Sequence, residues 1–217
     1  MYVKNSMTVN PCCIDSKTNI STALDIMKNN DFHRIPVVDA KGKLLGLITE
    51  GVIAENTPSR ATSLSIYELN YLLSKTTVES IMISDVHTIS PDALIEEAAS
   101  LMRKHSIGYL PVVENDVVVG VITYNDIFDS FIDLLGYNIK GSRYMFLSED
   151  KAGEVAAITK CFADNGINIV TVASFRGKNH GKNGVEIIVV TRDTKPARMK
   201  QALLDSGFNL IDVREIQ

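Results

Sequence analysis

The chain has 217 residues, of which 45% are hydrophobic, and its 22 basic and 26 acidic residues give a formal net charge of −4. This apolar content can build a buried core for roughly one or two domains. The near balance of charge gives no general attraction to nucleic acid or to an anionic membrane, so we expect neither as a partner.

The cysteines do not follow a structural pattern. Cys12, Cys13 and Cys161 are odd in number and lack C-x-x-C spacing, which fits neither a disulfide framework nor a zinc knuckle. We therefore expect reduced thiols and no bound metal.

The first residues lack the apolar stretch of about 7–15 residues found in signal peptides, and no apolar run approaches about 18 residues. These two features predict a cytoplasmic location.

One long stretch of sequence occurs twice. "IPVVDAKGKLLGLITEGV" at 35–52 resembles "LPVVENDVVVGVITYND" at 110–126, and Pro36 and Pro111 are 75 residues apart. A duplication of this length predicts two units of similar fold. The same spacing separates Met7 from Met82 and Met27 from Met102.

Each repeat predicts a helix, a hairpin and a second helix. The first helix has an apolar stripe at i, i+3, i+4 and i+7, which indicates core positions. "AKGK" and "ND" are hairpin turn signals, and Gly136 is placed to end the last helix. "IYELNYLLSK" predicts a connecting helix between the repeats. The stripes are Ile20, Ala23, Leu24 and Met27 in repeat 1 and Ile95, Ala98, Ala99 and Met102 in repeat 2.

The pattern changes after Gly141. "SRYMFLS", "INIVTVASF", "VEIIVVT" and "FNLIDV" read as strands, and two helices lie among them. In the first of these helices we expect Val155, Ile158 and Phe162 to face inward. The order strand, helix, strand, strand, helix, strand predicts a ferredoxin-like unit, so the whole chain is of the α/β (α+β) class.

Thr123-x-x-Asp126 stands where a strand ends and a helix begins. The start of a helix suits a phosphate, and a carboxylate one turn in can accept hydrogen bonds from ribose hydroxyls. The same spacing is also that of a helix-capping pair. The spacing leaves both interpretations open.

The doubled pattern h-P-V-V-(D/E) followed by G-h-I-T-x-x-(D) resembles a tandem pair of CBS domains over residues 1 to about 136. The resemblance implies two clefts that bind AMP, ADP, ATP or S-adenosylmethionine. It assigns Thr123 and Asp126 to nucleotide binding. It also implies that the adenine and ribose pocket is lined by Ala98, Ile107, Gly108 and Tyr109.

The first repeat departs from this family pattern. It keeps Thr49 but has Val52 where the acid is expected, so its cleft is either empty or holds a ligand by other contacts. His33 and Arg34 lie where relatives place phosphate-contacting groups. They can equally be a solvated strand start, and Arg34 is the better candidate because its guanidinium matches phosphate oxygens.

The C-terminal unit resembles an ACT domain, a module that often binds amino acids where two copies pair. Its usual D-x-P-G turn is present as Asp150-Lys151-Ala152-Gly153, and with Asn168 the residues Asp150 and Gly153 are the candidate amino-acid site. Asp150 can instead cap the helix.

The basic loop "RGKNHGKNG" either binds an anion or is a solvated hairpin tip. Two CBS units followed by one ACT unit resemble the bacterial acetoin-utilisation (AcuB-like) proteins.

These features predict four segments: CBS repeat 1 at 1–60, a connecting helix at 61–77, CBS repeat 2 at 78–140 and an ACT-like domain at 141–217. We expect a non-catalytic sensor that binds an adenine nucleotide, forms a homodimer or higher oligomer and regulates another protein. The alternatives are a ligand-free dimerisation module and an amino-acid sensor. Catalytic motifs are absent from the sequence, and His87 and His105 lie in different local settings.

Overall fold

The computed structural model describes residues 1–57, 65–176 and 184–216. The chain forms two compact units, 1–127 and 128–217. In the described part of the chain, no helix has the length and apolar character needed to cross a membrane.

The first unit contains the two repeats. Its elements are β1 (Thr8–Val9), β2 (Ile14–Asp15), α1 (Ile20–Asn30), β3 (Arg34–Val38), β4 (Leu44–Thr49), α2 (Glu50–Glu55), α3 (Ile66–Lys75), α4 (Ile95–His105), β5 (Tyr109–Glu114), β6 (Val117–Thr123) and the start of α5 (Tyr124–Leu134). The second unit contains the remaining elements. They are β7 (Gly141–Glu149), α6 (Glu154–Asp164), β8 (Ile169–Phe175), β9 (Gly184–Thr191), α7 (Pro196–Asp205) and β10 (Leu210–Ile216).

The helices α1 and α4 form as the apolar stripes predict. Asn19 caps α1 by accepting a hydrogen bond from the Thr22 amide at 2.8 Å. Both helices end at a residue with left-handed backbone, Asp31 and Ser106. The buried stripe residues are Ile20, Ala23 and Met27 in α1 and Ile95, Ala98 and Met102 in α4.

The hairpins also form where the turn signals predict. Strands β5 and β6 are antiparallel and are joined by Asn115 and Asp116, both with positive φ. Two consecutive residues of this kind make the turn whose twist matches that of the flanking strands. Strands β3 and β4 form the equivalent hairpin in repeat 1.

The two repeats exchange their first segments. Strand β1 belongs to repeat 1, but it pairs with β6 of repeat 2. In return, Ile83 of repeat 2 exchanges two backbone hydrogen bonds of 2.9 Å with Leu47 of β4. The Val3 amide donates to Ala93 O at 2.9 Å, and the equivalent Val78 amide donates to Thr18 O at 2.8 Å. Each repeat therefore supplies backbone hydrogen-bond partners to the other repeat.

This exchange explains a glycine in each repeat. A Cβ added to Gly46 would lie 2.7 Å from both Met82 Sδ and the Ile83 carbonyl oxygen, and one added to Gly120 would lie 2.6 Å from Met7 Sδ. Real Cβ atoms do not approach other atoms so closely. The glycines leave the room that the exchanged segments occupy.

The second unit is a four-stranded antiparallel sheet in the order β10-β7-β9-β8 with two helices. This is the strand and helix order predicted from the sequence. Ile158 and Phe162 are fully buried, but the prediction for Val155 was wrong, because its side chain is 41% exposed. Val155 lies in the first turn of α6, before the helix joins the core cluster. The buried cluster contains Tyr144, Phe146, Ile158, Phe162, Val185, Ile187, Val189, Met199 and Leu203.

The other face of this sheet is covered near β9. Gly136 has φ +70°, and a Cβ there would lie 3.2 Å from Val190 Cγ1 and 3.3 Å from Thr171 Oγ1. Ile188 and Val190 are buried. Gly136 is thus the predicted end of the helix and also a close packing point on the sheet.

We predict that Gly46→Ala lowers the free energy of unfolding by about 1–3 kcal/mol, because the added methyl group overpacks the contact with Met82 and the Ile83 backbone. Chemical denaturation of the full chain measures this value. Gly51→Ala is the matched control, since its Cβ would have no contact closer than 3.7 Å. Equal stability of the two variants would contradict the prediction.

Candidate functional site

A cavity of about 570 Å³ lies between the two repeats within the first unit. Repeat 1 contributes the turn that joins α1 to β3. Repeat 2 contributes the turn that joins α4 to β5 and the start of α5. The lining residues are Asp31, Phe32, His33, Arg34, Ser106, Gly108, Tyr109, Thr123, Tyr124 and Asn125.

Thr123 and Asp126 form a reciprocal cap at the start of α5. The Thr123 amide and hydroxyl both donate to Asp126 Oδ2 at 2.7 Å, and the Asp126 amide donates to Thr123 Oγ1 at 3.4 Å. The capping interpretation is confirmed, and the ligand interpretation stays a prediction. Thr123 lines the cavity, whereas Asp126 lies one turn into the helix.

Arg34 and His33 both line this cavity, but their surroundings differ. His33 Nδ1 lies 2.9 Å from Glu50 Oε2, so this ring already has an acidic neighbour. Arg34 is exposed and lines a second cavity as well. Among the two, Arg34 is therefore the cation that can meet an incoming anion.

The second cavity is smaller, about 200 Å³, and it belongs to the cleft of Thr49. Thr49 Oγ1 accepts from the Val52 amide at 3.1 Å, and the Val52 side chain packs against the core of repeat 1. The residues shared by both cavities are Arg34, Ser106, Gly108 and Tyr109; Leu47, Thr49, Ile83, Asp85, Val86, His87 and Ile107 line only this one.

The structure divides the predicted adenine pocket between the two cavities. Ile107 lies with Thr49, although the family resemblance places it with Asp126. Gly108 and Tyr109 line both cavities. Ala98 is fully buried in α4 and lines neither of them. Asp85 and His87 line the smaller cavity and were missed, because they follow the exchanged segment and carry no motif of their own.

Burial raises the pKa of one group at the site and of a second group near it. Burial raises the pKa of the Tyr109 hydroxyl, and the thiol of Cys13 adds to this effect. Burial also raises the pKa of the Cys13 thiol to about 11. Both groups are therefore protonated at neutral pH, and Tyr109 can act as a hydrogen-bond donor.

Two histidines that are distant in sequence lie together. The ring centroids of His87, which lies in a loop, and His105, the last residue of α4, are 3.8 Å apart, although the local settings of the two residues differ as predicted. Desolvation lowers the pKa of His105, and the neighbouring His87 lowers it further. In the described residues, no group of three His, Cys, Asp or Glu side chains is placed to hold a metal ion.

The candidate amino-acid site in the second unit is dispersed. Asp150 does not cap α6, since its Oδ2 accepts from Arg176 Nε at 2.9 Å and Arg176 Nη2 is also paired with it. Gly153 is the N-cap of α6, whereas Asn168 follows the other end of this 11-residue helix, roughly 16 Å away. Lys178, His180 and Lys182 of the basic loop lie outside the described residues.

The structure defines a class: two interlocked α/β repeats with two cavities between them, of which the larger has the size of a small-molecule site. The family model of the CBS domain matches residues 3–56 and 78–133, half of the chain. The chain therefore belongs to the CBS-domain family. The predicted limits of the four segments stay a prediction.

Several proteins are similar to this chain. A CBS domain-containing protein of Dictyostelium discoideum is 32% identical over 145 residues, which cover 62% of this chain and 94% of that protein. The inosine-5'-monophosphate dehydrogenase of Nitrosopumilus maritimus is 31% identical over 131 residues, 58% of this chain, and the match spans 24% of the enzyme.

Two solved structures share the fold of the repeats. One belongs to a Vibrio cholerae protein assigned to acetoin utilization (AcuB), with 32% identity, a TM-score of 0.52 and coverage of 64% of this chain and 95% of that chain. The other is CBSX2 in complex with AMP, with 24% identity, a TM-score of 0.52 and coverage of 61% and 97%. The likeness to CBSX2 concerns the fold alone.

We predict that Asp126→Ala lowers the free energy of unfolding by about 1 kcal/mol without any ligand, because α5 loses its reciprocal cap. Asp129→Ala is the control. This residue is an exposed acid one turn further along α5, and its removal should change stability by less than about 0.5 kcal/mol. Equal losses in denaturant titrations would show that Asp126 does not stabilise the helix start.

Proposed function

We propose that the chain is a non-catalytic sensor that binds an adenine nucleotide in the 570 Å³ cavity. The supporting observation is the meeting of Arg34 from repeat 1 with Thr123 and the start of α5 from repeat 2 around one cavity. An arginine and the positive end of a helix dipole together favour a phosphate.

The ribose is assigned to Asp126. Its Oδ2 already accepts two hydrogen bonds from Thr123. An ionised carboxylate offers about four acceptor positions, so Asp126 can accept hydrogen bonds from Thr123 and from the ribose hydroxyls at the same time. Tyr109 is protonated and lines the cavity, where it can donate to the ligand.

Cavity size supports one main nucleotide site. The 570 Å³ cavity falls within the range of about 300–1,000 Å³ usual for small-molecule sites, whereas the 200 Å³ cavity falls below it. The smaller cavity also lacks an acid at Val52. The AMP in CBSX2 is an observation on that protein, and it agrees with the chemistry proposed for this chain.

The regulatory role is part of the proposal. The match spans about a quarter of the inosine-5'-monophosphate dehydrogenase that it resembles, and we do not assign that enzyme's reaction to the chain. A sensor must have two states with different affinities for its ligand. Arg34 and Tyr109 line both cavities, so occupation of one changes the surroundings of the other.

We also propose that the second unit is ACT-like and that the protein forms a homodimer. The strand order of the second unit supports the first assignment. Exposed apolar side chains on α3 support the second, since Tyr67 is 84% exposed and Tyr71 is 62% exposed. Large apolar groups that remain exposed in this way mark interaction surfaces.

Calorimetric titrations with AMP, ADP, ATP, S-adenosylmethionine and adenosine test the nucleotide site. Arg34→Gln should weaken AMP binding about tenfold or more through loss of a charge-assisted hydrogen bond, and adenosine binding should not change. Asp126→Asn should weaken AMP and adenosine alike. Arg103→Gln is the matched control, because Arg103 is exposed on α4 and lines neither cavity.

A second comparison isolates the ribose contact. The 2′-deoxy form of AMP should bind the parent protein more weakly than AMP, and Asp126→Asn should remove most of this difference. Equal binding of AMP by the parent, Arg34→Gln and Arg103→Gln would refute the phosphate assignment. Heat-silent titrations with all five compounds, together with unchanged melting temperatures, would favour a ligand-free dimerisation module.

A further inference from the structure

The smaller cavity of the first unit, about 200 Å³, is lined by two opposite charges. Arg34 and Asp85 both line it, and both residues are exposed, so their charged groups lie toward its opening. In the described part of the chain, neither side chain forms an ion pair, with the other or with a third residue. A single ligand that carries both a negative and a positive charge can therefore pair with the two of them.

Aliphatic side chains form the apolar part of the cavity wall. Leu47 and Ile83 are held side by side by the two backbone hydrogen bonds of 2.9 Å that join the repeats, and Val86 and Ile107 complete this part of the lining. Leu47 is only 8% exposed. An apolar ligand group is favoured against this wall, because its contact removes aliphatic surface from water.

The acid at this cavity is specific to one repeat. The 75-residue spacing that relates the repeats takes Asn10 to Asp85, so the corresponding residue of repeat 1 is neutral. The cleft of Thr49 thus lacks an acid at Val52 but has one at Asp85, which lies just after the exchanged segment. A carboxylate accepts hydrogen bonds from an ammonium group and repels a phosphate.

The volume of the cavity limits the size of the ligand. A space of 200 Å³ equals about seven water volumes of about 30 Å³ each. It also lies below the range of about 300–1,000 Å³ that is usual for drug-sized ligands and cofactors. The ligand is therefore smaller than a nucleoside, and it combines two opposite charges with a short apolar group.

We propose that the smaller cavity binds an α-amino acid with a branched aliphatic side chain. Arg34 pairs with the carboxylate, because a guanidinium matches the two carboxylate oxygens, and the Tyr109 hydroxyl donates to the same group. Asp85 accepts hydrogen bonds from the ammonium group. Leu47 and Ile83 contact the aliphatic side chain. This ligand and this site are independent of the nucleotide proposal.

Arg34 also connects this site to the proposed nucleotide site, since it lines both cavities. One positive charge compensates only one anion, so a bound phosphate should weaken binding of the amino-acid carboxylate. The chain would then respond to the two ligands in opposite directions. This coupling rests on the proposed nucleotide function, whereas the amino-acid site does not.

Calorimetric titration of the full chain without nucleotide tests the site. L-Leucine should bind more tightly than isocaproate, which lacks the ammonium group, than isopentylamine, which lacks the carboxylate, and than free glycine, which lacks the side chain. Asp85→Asn and Arg34→Gln should each weaken leucine binding about tenfold or more. Asp25→Asn is the matched control, because Asp25 is exposed on α1 and lines neither cavity.

The Asp85→Asn variant should fold, since repeat 1 has Asn10 at the corresponding position. Leucine heats no larger than those of dilution, equal binding of leucine and isocaproate, or leucine binding that Asp85→Asn and Arg34→Gln leave unchanged would overturn the proposal. Equal losses in Asp25→Asn and Asp85→Asn would also overturn it.

Titrations with AMP separate this proposal from the nucleotide proposal. Asp85→Asn should leave AMP binding unchanged, and protein saturated with AMP should bind leucine more weakly than the free protein. Unchanged leucine affinity in the AMP-saturated protein would overturn the shared use of Arg34. If AMP does not bind the parent protein, the nucleotide proposal fails, and the leucine titrations decide the amino-acid site by themselves.

Discussion

The exchange of first segments between the repeats is the constraint on which the first unit depends. The two hydrogen bonds between Ile83 and Leu47 and the matching bonds from Val3 and Val78 tie each repeat to its twin. Backbone groups must be satisfied when they are buried, so neither repeat can close its sheet alone. The clefts are therefore assembled before any ligand arrives, and binding energy is not needed to bring the repeats together.

Within this symmetric frame, a single residue makes the two clefts unequal. Thr49 and Thr123 cap equivalent helices, but Val52 is drawn into the core of repeat 1, whereas Asp126 closes a reciprocal cap. The cavity at Thr123 is also the larger one. A duplicated fold thus provides two similar positions, and these positions differ in polarity at one helix start.

The candidate sites show where sequence reasoning reaches its limit. Thr123 was found from a motif, the family resemblance implied Arg34 and Tyr109, and the structure brings all three to one cavity. The sequence could not place Ile107 with Thr49, since which repeat lines which cavity depends on the crossing of the exchanged segments. It also gave Asp150 a capping role, although Arg176, 26 residues away, takes up its carboxylate.

The sequence by itself determined the local structure: the stripes of α1 and α4, the Asn115-Asp116 turn and the order of elements in the second unit. These features depend on neighbours within a few residues, and the apolar periodicity and the turn residues of the sequence predict such local structure directly. Only the tertiary structure decided the exchange of segments and the contact of His87 with His105. Each of these depends on residues far apart in the chain, whose proximity is set by packing of the whole unit.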